Sequence, residues 1–220
     1  MIRLITSLMP AEIPIQQRAV GSWIEMGFAP FSVNSSGEIE TLRPLFPRVT
    51  FMKINDIMPP KVLTLANLFP NNEVAGIINS DILLKLSAFS LRKLGDHMLF
   101  GQRINVANFD TLEGGSRFPS GFDFFFFNGK WKNRIMDPQF RFGRPAWDYY
   151  LPLVLMGCTK CLLLESAVAF HQVHKKRWNN LHYKKYCAHF TSCMRTSTDD
   201  ALRRLLTESR KVLVQDLEYL

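Results

Sequence analysis

The fold is indicated by the stretch IRLITSLMPAEIPIQQRAVGSWIEMGFAPFSV at residues 2–33. Residues 2–8 form a short apolar run, which is typical of a buried strand. Residues 15–26 carry apolar side chains at helical spacing, and Gly27 would end that helix. Residues 28–33 then form a second strand. A strand, a helix and a strand in this order predict a parallel sheet with right-handed crossovers.

Strands and helices continue to alternate along the chain. We predict further strands over residues 49–54, 74–78, 98–106, 122–127 and 161–170. We predict further helices over residues 38–45, 61–69, 83–94, 148–156 and 198–220, the last with Thr198 as N-cap. The segment before Thr198 is polar and basic. The chain is therefore predicted to be an α/β protein with a mostly parallel central sheet flanked by helices. Residues 1–197 would form one domain, with 198–220 a C-terminal helix packed on it.

The composition of the 220 residues excludes several classes of protein. With 47% hydrophobic residues, 12 Gly and 12 Pro, the chain is neither disordered nor collagen-like. No stretch of about 18 apolar residues lacks a charge or a proline, so no membrane span is expected. The first residues lack the apolar core and cleavage site of a signal peptide. Four cysteines do not suit a disulfide scaffold, and they indicate free thiols and a cytoplasmic location.

The positive charge of the chain is concentrated towards its end. The 27 basic and 19 acidic residues give a net charge of +8, and residues 171–220 carry 10 basic against 5 acidic residues. A basic C-terminal region favours an anionic ligand such as a nucleotide, a nucleic acid or a membrane surface. The alternative is a solvated surface with a slight excess of Lys and Arg.

The sequence Asn79-Ser80-Asp81 directly follows a predicted strand. Open α/β sheets bind ligands at the carboxyl ends of their strands. A carboxylate there can hold Mg²⁺ or Mn²⁺ between two phosphates, because both ions favour oxygen ligands. The spacing matches an Asp-x-Asp motif with Asn in the first position. The alternative is that Asp81 caps a helix beginning at Ile82.

The sequence HQVHKKRW at residues 171–178 follows the last predicted strand. His171 and His174 can act as metal ligands, and imidazole is an acceptable ligand for Mn²⁺. Lys175 and its basic neighbours would offset negative charge on a leaving phosphate. The alternative is a basic loop with exposed imidazoles.

Two aromatic segments carry acidic residues. Asp148 lies in FGRPAWDYY at residues 142–150 and suits a sugar site, where rings stack on sugar faces and a carboxylate takes a proton from a hydroxyl. The alternative is Asp148 as a helix N-cap with Trp147 in the core. The sequence GFDFFFF at 121–127 indicates a central strand buried on both faces, with Asp123 as a minor site candidate.

The cysteines raise the possibility of zinc. Cys158 and Cys161 form a C-x-x-C pair, and His171 and His174 follow. The apolar strand between the two pairs argues against a compact finger. Further ligands could come from Cys187, His189 and Cys193. The signatures of P-loop proteins, dinucleotide-binding proteins, α/β-hydrolases and zincins do not occur in the sequence.

In order along residues 2–178, these motifs resemble a GT-A type glycosyltransferase that uses a nucleotide sugar. The resemblance rests on a set of short motifs: SVNS at 32–35, NSDI at 79–82, GFDFF at 121–125, GRPAWD at 143–148 and HQVH at 171–174. The family implies a Rossmann-like sheet and a divalent cation on the donor diphosphate. This chain departs from it at Asn79, because an amide supplies no charge and metal affinity should be weaker. The chain is also short for such an enzyme, which suits a catalytic domain of a larger protein or a minimal form.

The resemblance implies roles for ten residues. Asp81, His171 and His174 would hold Mn²⁺ or Mg²⁺, and Asp148 would be the general base in an inverting enzyme. Donor-binding roles would fall to Ser7 and Asn34 near the nucleoside, and to Asn79, Ser80, Arg103 and Lys175 near the diphosphate and sugar.

The implied function is metal-dependent transfer of a hexose from a nucleoside-diphosphate sugar, with a UDP-sugar favoured. The acceptor would be a glycan or glycoprotein, and nucleic acid is not favoured as a partner. The alternatives are a basic nucleic-acid-binding module, a zinc-stabilised interaction domain and a nucleotidyltransferase. The sequence does not predict the oligomeric state.

Overall fold

A computed structural model describes residues 1–136, 139–174 and 179–220. The strands are β1 (Arg3–Thr6), β2 (Ala29–Asn34), β3 (Thr50–Lys53), β4 (Val74–Ile78), β5 (Ile82–Leu84), β6 (Met98–Gly101), β7 (Ile104–Val106), β8 (Ser116–Arg117), β9 (Phe124–Asn128), β10 (Cys161–Leu164), β11 (Ala169–Gln172) and β12 (Arg210–Val212). The α-helices are α1 (Ile13–Glu25), α2 (Ser36–Leu42), α3 (Val62–Ala66), α4 (Trp147–Met156), α5 (Asn180–Met194) and α6 (Thr198–Glu208).

The main sheet of the described chain has eight strands in the order β12-β10-β6-β9-β4-β1-β2-β3. Strand β9 is antiparallel to both of its neighbours, and every other pair is parallel. The sheet carries helices on both of its faces. The predicted α/β class with a mostly parallel central sheet flanked by helices is therefore confirmed.

Strand β9 is the apolar centre of the protein, as its sequence predicts. Phe125 and Phe127 face the side of the sheet covered by α3, α4 and α6, whereas Phe124 and Phe126 face the side covered by α1. All four rings are fully buried. The ring of Phe126 lies where a Cβ would project from Gly76 on β4, so only glycine fits there.

A second sheet has the order β5-β11-β7-β8, and in it β7 and β11 run parallel. The single strands predicted over residues 98–106 and 161–170 are wrong, because each run divides between the two sheets. In both cases the chain leaves the main sheet at the carboxyl end of a strand and enters the small sheet. The small sheet therefore lies beyond the carboxyl edge of the main one. Each break falls at a pair of polar residues, Gln102-Arg103 or Glu165-Ser166, which the prediction of a single strand ignored.

The predicted helix over residues 83–94 is also wrong. Residues 82–84 form β5, which pairs with β11, and Phe89–Leu91 is one turn of 3-10 helix. Ile82, Leu83 and Leu84 are all buried, and consecutive buried residues suit a strand enclosed on both faces. A short apolar run of this kind does not distinguish a strand from a helix.

The C-terminal part also differs from its prediction. The polar segment before residue 198 contains helix α5, which was not predicted. Helix α6 is capped by Ser197, whose side chain accepts a hydrogen bond from the Asp200 N–H at 3.0 Å, rather than by Thr198. It ends at Glu208 instead of continuing to residue 220. The chain then forms β12, which adds to the main sheet beside β10. In the described part of the chain, no helix has the length and hydropathy needed to span a bilayer.

Candidate functional site

Strand pairing brings Asp81 and His171 together. Asp81 lies between β4 and β5, at the carboxyl end of β4. A strand begins at Ile82, so the alternative of Asp81 as a helix cap is wrong. His171 on β11 is opposite Ile82 on one side and opposite Asn105 of β7 on the other. The register therefore fixes His171 next to the residue that follows Asp81.

Asp81, His171 and His174 form a compact cluster. Asp81 Oδ2 lies 3.1 Å from Nε2 of His174 and 3.5 Å from Nε2 of His171. Potential ligand atoms of the three side chains all lie within 4.8 Å of one another. The side chains are 23%, 10% and 20% exposed for Asp81, His171 and His174, so solvent reaches the cluster. One carboxylate and two imidazoles are a suitable donor set for a divalent cation such as Mn²⁺.

The charge state of Asp81 suits this role. Burial favours the neutral form of its carboxyl group and alone would raise its pKa. Hydrogen bonds with His171 and His174, together with the charge on these imidazoles, outweigh burial and hold the pKa well below its usual range. Asp81 therefore presents an ionised carboxylate at any pH near neutral.

A hydrogen-bonded network extends from the cluster through Arg103. The guanidinium donates from Nε to Oδ1 of Asn105 at 3.0 Å and from Nη1 to Oδ1 of Asp123 at 2.9 Å. It also lies over the ring of Phe118, 4.3 Å from the ring centre. Asn79 donates from Nδ2 to the same Asp123 oxygen at 2.7 Å. Arg103 is therefore fixed in one orientation while 21% of its side chain stays exposed.

Asp123 lies at the centre of this network because of the antiparallel pairing of β4 and β9. Ile78 is opposite Phe124, which places Asp123 opposite Asn79. The Asn79 N–H donates to the Asp123 carbonyl at 3.0 Å. The Asp123 side chain is only 4% exposed, and within the described residues its Oδ2 accepts no hydrogen bond. Asp123 is thus a buried acceptor that holds the side chains of Asn79 and Arg103 in place.

Asp148 lies in the first turn of α4, close to the same network. Its Oδ2 accepts a hydrogen bond from the Phe122 N–H at 3.2 Å. The N-cap of α4 is Ala146, so the alternative of Asp148 as N-cap is wrong. Burial raises the pKa of Asp148 to about 7, the negative charge of Asp123 adds to the rise, and the positive charge of Arg103 opposes it. A carboxyl group with this pKa can both accept and release a proton near neutral pH.

Ser7 and Asn34 lie elsewhere on the carboxyl edge, at the ends of β1 and β2. Ser7 Oγ donates to the Val33 carbonyl at 2.9 Å, and Asn34 Nδ2 donates to the Leu8 carbonyl at 2.7 Å. Both side chains are buried and bind the two strands to each other. Ser80, which lies between Asn79 and Asp81 in the sequence, is also buried. Lys175 lies outside the described residues.

Asn105 is a site residue that the sequence did not indicate. Its Oδ1 lies 3.3 Å from Nδ1 of His171 and also accepts the hydrogen bond from Arg103. It therefore connects the Asp81 cluster to Arg103 and Asp123. Asn105 belongs to no motif in the chain, and only the pairing of β7 with β11 brings it to His171.

The cysteines do not form a zinc site with the histidines. The thiol of Cys158 is directed at the Leu155 carbonyl, at 3.3 Å, and that of Cys161 at the Pro152 carbonyl, at 3.8 Å. Burial raises the pKa of Cys161 to about 12, which disfavours the thiolate that zinc requires. Across residues 1–136, 139–174 and 179–220, no group of three or more potential metal ligands includes a cysteine.

A cleft of about 440 Å³ opens at the carboxyl ends of β10 and β6, next to Arg103 in the chain. Its floor is apolar and its rim is charged. It is lined by Gln102, Arg117, Leu163, Leu164, Glu165, Leu206 and Lys211. Two of the rim residues, Glu165 and Lys211, form an ion pair at 3.3 Å. Asp81, His171 and His174 are not among the residues that line it.

No protein-family model and no curated protein sequence matches the chain. Among solved structures, the chain is similar to the glycosyltransferase GlyE of Streptococcus pneumoniae TIGR4, with 8% identity and a TM-score of 0.45. Its similarity to the apo form of GlyE has 11% identity and a TM-score of 0.46. In both comparisons 94% of this chain is covered, and the chain spans 63% of the length of GlyE. Similarity at this level does not identify what the chain binds or catalyses.

Proposed function

We propose that this protein is a metal-dependent glycosyltransferase that moves a hexose from a nucleoside-diphosphate sugar to an acceptor hydroxyl. The observation that carries the proposal is the cluster of Asp81, His171 and His174 at the carboxyl edge of a mostly parallel sheet. Arg103 is connected to this cluster through Asn105 and supplies a fixed cation, and Asp148, near Arg103 and Asp123, supplies a carboxyl group with a pKa of about 7. A UDP-sugar is the favoured donor, and a glycan or glycoprotein is the proposed acceptor.

The cluster fits Mn²⁺ or Mg²⁺ better than it fits a structural metal. Three ligands leave coordination positions free, which a structural zinc site does not. When bound, the cation supplies positive charge against the donor diphosphate. Asp81, His171 and His174 would hold it, with Asp81 as the only charged ligand of the three, because Asn79 replaces a second carboxylate.

The fixed guanidinium of Arg103 is proposed to bind a phosphate or a sugar hydroxyl of the donor. Two of its nitrogens are held by Asn105 and Asp123, the group lies over the ring of Phe118, and 21% of the side chain is exposed. Because this orientation exists before the ligand arrives, binding loses little side-chain entropy. Lys175 would pair with the diphosphate, since it directly follows His174 in the chain.

Further residues have proposed roles in donor binding. Asn79 and Ser80 would line the donor pocket beside Asp81. Asn34 would shape the strand end on which the nucleoside rests, as would Ser7. The side chains of Ser7 and Asn34 donate hydrogen bonds to backbone carbonyls at the ends of β1 and β2. We therefore propose that they support the nucleoside pocket and do not recognise the base.

Asp148 is the proposed general base. Its carboxylate would take the proton of the acceptor hydroxyl while the hydroxyl oxygen bonds to the anomeric carbon. The bond from that carbon to the phosphate oxygen breaks, and the nucleoside diphosphate leaves with the electron pair. The pKa of about 7 leaves much of Asp148 ionised near neutral pH, and a base with a pKa near the working pH is efficient.

Calorimetric titration with UDP, GDP and their sugars tests this function, with and without Mn²⁺. We expect one nucleotide to bind in a metal-dependent way, and Asp81→Asn to abolish that binding. Product analysis then separates sugar transfer from nucleotide transfer, since a nucleotidyltransferase would use the same metal site. Absence of binding by every nucleotide with Mn²⁺ present would overturn the proposal. Salt-dependent binding of polynucleotide would then favour the nucleic-acid alternative.

A further inference from the structure

Asn105 touches both a proposed metal ligand and the cation of the site. Its Oδ1 lies 3.0 Å from Nε of Arg103 and 3.3 Å from Nδ1 of His171. The two neighbours approach the same oxygen from different elements, since Arg103 precedes β7 and His171 lies on β11. The parallel register of β7 and β11 sets Asn105 directly opposite His171, so the contact is fixed by the backbone.

The chemistry of Arg103 determines how the other two groups are oriented. A guanidinium nitrogen carries only donors, so the amide of Asn105 must turn its oxygen towards Arg103. The same oxygen then faces His171, and it can only accept. Nδ1 of His171 must therefore carry the proton. Nε2, which lies 3.5 Å from Asp81 Oδ2 and is hydrogen-bonded to it while no metal is bound, is then the nitrogen left for a divalent cation.

We propose that Asn105 is a positioning residue that holds His171 in the Nδ1-protonated tautomer and so prepares Nε2 to bind the metal. This inference rests on the proposed function, because it requires the cluster to bind a cation. Partners that hold the second nitrogen of a ligating histidine typically change metal affinity by about 10–100-fold when they are removed. Asn105 would act through His171, without contacting the metal itself.

The proposal and simple electrostatics predict opposite changes in metal affinity when Arg103 is removed. Removing a cation near a metal site should strengthen binding of a divalent cation, because a repulsion disappears. If Arg103 holds the Asn105 amide in place, its removal lets the amide rotate and turn its NH₂ group towards His171. The favoured tautomer then changes, and metal binding weakens. The substitution Arg103→Met therefore separates the two effects.

The test is a calorimetric Mn²⁺ titration of four single variants against the unmodified chain. Asn105→Leu is expected to weaken Mn²⁺ binding by about 10–100-fold, and Arg103→Met to weaken it rather than strengthen it. Asn105→Asp keeps an acceptor for both neighbours, so its affinity should equal or exceed that of the unmodified chain. The control Asn71→Leu makes the same change at an exposed position before the amino end of β4 and should have no effect.

A spectroscopic readout distinguishes positioning from a general loss of structure. With ¹⁵N-labelled histidine and ¹¹³Cd²⁺ as the bound ion, the coupling between cadmium and nitrogen identifies the ligating atom. We expect coupling to Nε2 of His171 with a proton retained on Nδ1, and loss of that pattern in Asn105→Leu but not in Asn105→Asp. Thermal unfolding of each variant checks that it is folded.

Different results would overturn the role of Asn105 and the proposed function. Failure of the unmodified chain to bind Mn²⁺ overturns both proposals. Normal Mn²⁺ binding that Asn105→Leu leaves unchanged overturns this inference alone, as does coupling of cadmium to Nδ1 of His171. Tighter Mn²⁺ binding by Arg103→Met also contradicts it, because electrostatic repulsion would then be the whole effect of Arg103.

Discussion

Two parts of the same sheet edge carry polar side chains and use them differently. At the ends of β1 and β2, Ser7 and Asn34 are buried and bond to backbone carbonyls. At the end of β4, Asp81 bonds to His171 and His174, which come from β11 of the small sheet and the residues after it, and all three side chains remain in contact with solvent. The first group joins two strands, whereas the second presents ligand atoms to solvent.

The comparison shows that position at the carboxyl edge does not by itself make a binding residue. Most buried polar groups in proteins are hydrogen-bonded, and backbone carbonyls accept the hydrogen bonds of Ser7 and Asn34. In the second group one carboxylate faces two imidazoles, and these three side chains are a suitable ligand set for a divalent cation. The small sheet produces this difference, since it adds β11 and β7 beyond the edge and brings a histidine to face Asp81.

The largest effect is expected from Asp81→Asn, which keeps the shape of the side chain and removes its charge. Loss of the only charged metal ligand should lower the rate of sugar transfer by about 10⁴-fold, because charge stabilisation by a bound metal contributes several kcal/mol. Steady-state kinetics at fixed Mn²⁺ measures it. The control is Asp110→Asn, which makes the same change in an exposed ion pair with Arg18. Activity close to that of the unmodified chain would remove Asp81 from the site.

The next effect is expected from Asp148→Asn, which should lower the turnover number by about 10³-fold while leaving donor affinity unchanged. The same substitution should lower activity but raise the stability of the fold. Because burial raises the pKa of Asp148, the ionised form destabilises the fold at pH 8, and the neutral amide should raise the melting temperature there.

The control for that prediction is Asp199→Asn in the first turn of α6, which also removes an acidic residue near a helix N-terminus. A comparable loss of turnover in both variants would assign the effect to the helix ends. Loss of donor binding by Asp148→Asn would place Asp148 in the donor pocket instead of at the acceptor.

The fold was largely predictable because apolar runs and turns record which residues are buried. The aromatic strand β9 shows this best, since its four successive phenylalanines predict a strand buried on both faces and all four are buried. Polar pairs mark the breaks between β6 and β7 and between β10 and β11, but the sequence does not show that the chain enters a second sheet there. Strand patterns record burial, and a residue is buried equally well in either sheet.

The individual site candidates were visible in the sequence, but the connections between them were not. Asp81, His171 and Asp148 belong to short motifs of chemically suitable residues. Asn105 and the central place of Asp123 follow from strand register, which depends on pairs of residues far apart in the chain. Single-sequence reasoning has no access to register, so it finds ligands more readily than the residues that orient them.

A smaller effect is expected from pH. With a pKa of about 7, Asp148 is mostly ionised at pH 8 and mostly protonated at pH 6, so the turnover number should fall about tenfold between these values. Measurement at saturating Mn²⁺ keeps the proposed metal site occupied at both pH values. The fall should vanish in the residual activity of Asp148→Asn. A fall of the same size in this variant would contradict the assignment of the titration to Asp148.

The smallest effect on activity is expected from Asn34→Ala. Removing this buried amide leaves the Leu8 carbonyl and the Ser32 hydroxyl without the partners they have now, which should cost about 1–3 kcal/mol of folding stability. Denaturant unfolding measures this loss, with Asn71→Ala at an exposed position as control. The folded fraction should keep its turnover number within about threefold, because Asn34 holds β1 to β2 and contacts no member of the Asp81 cluster in the part of the chain that the structure describes. A selective rise in the dissociation constant for UDP, without loss of stability, would show that Asn34 reads the nucleoside and would erase the difference between the two parts of the edge.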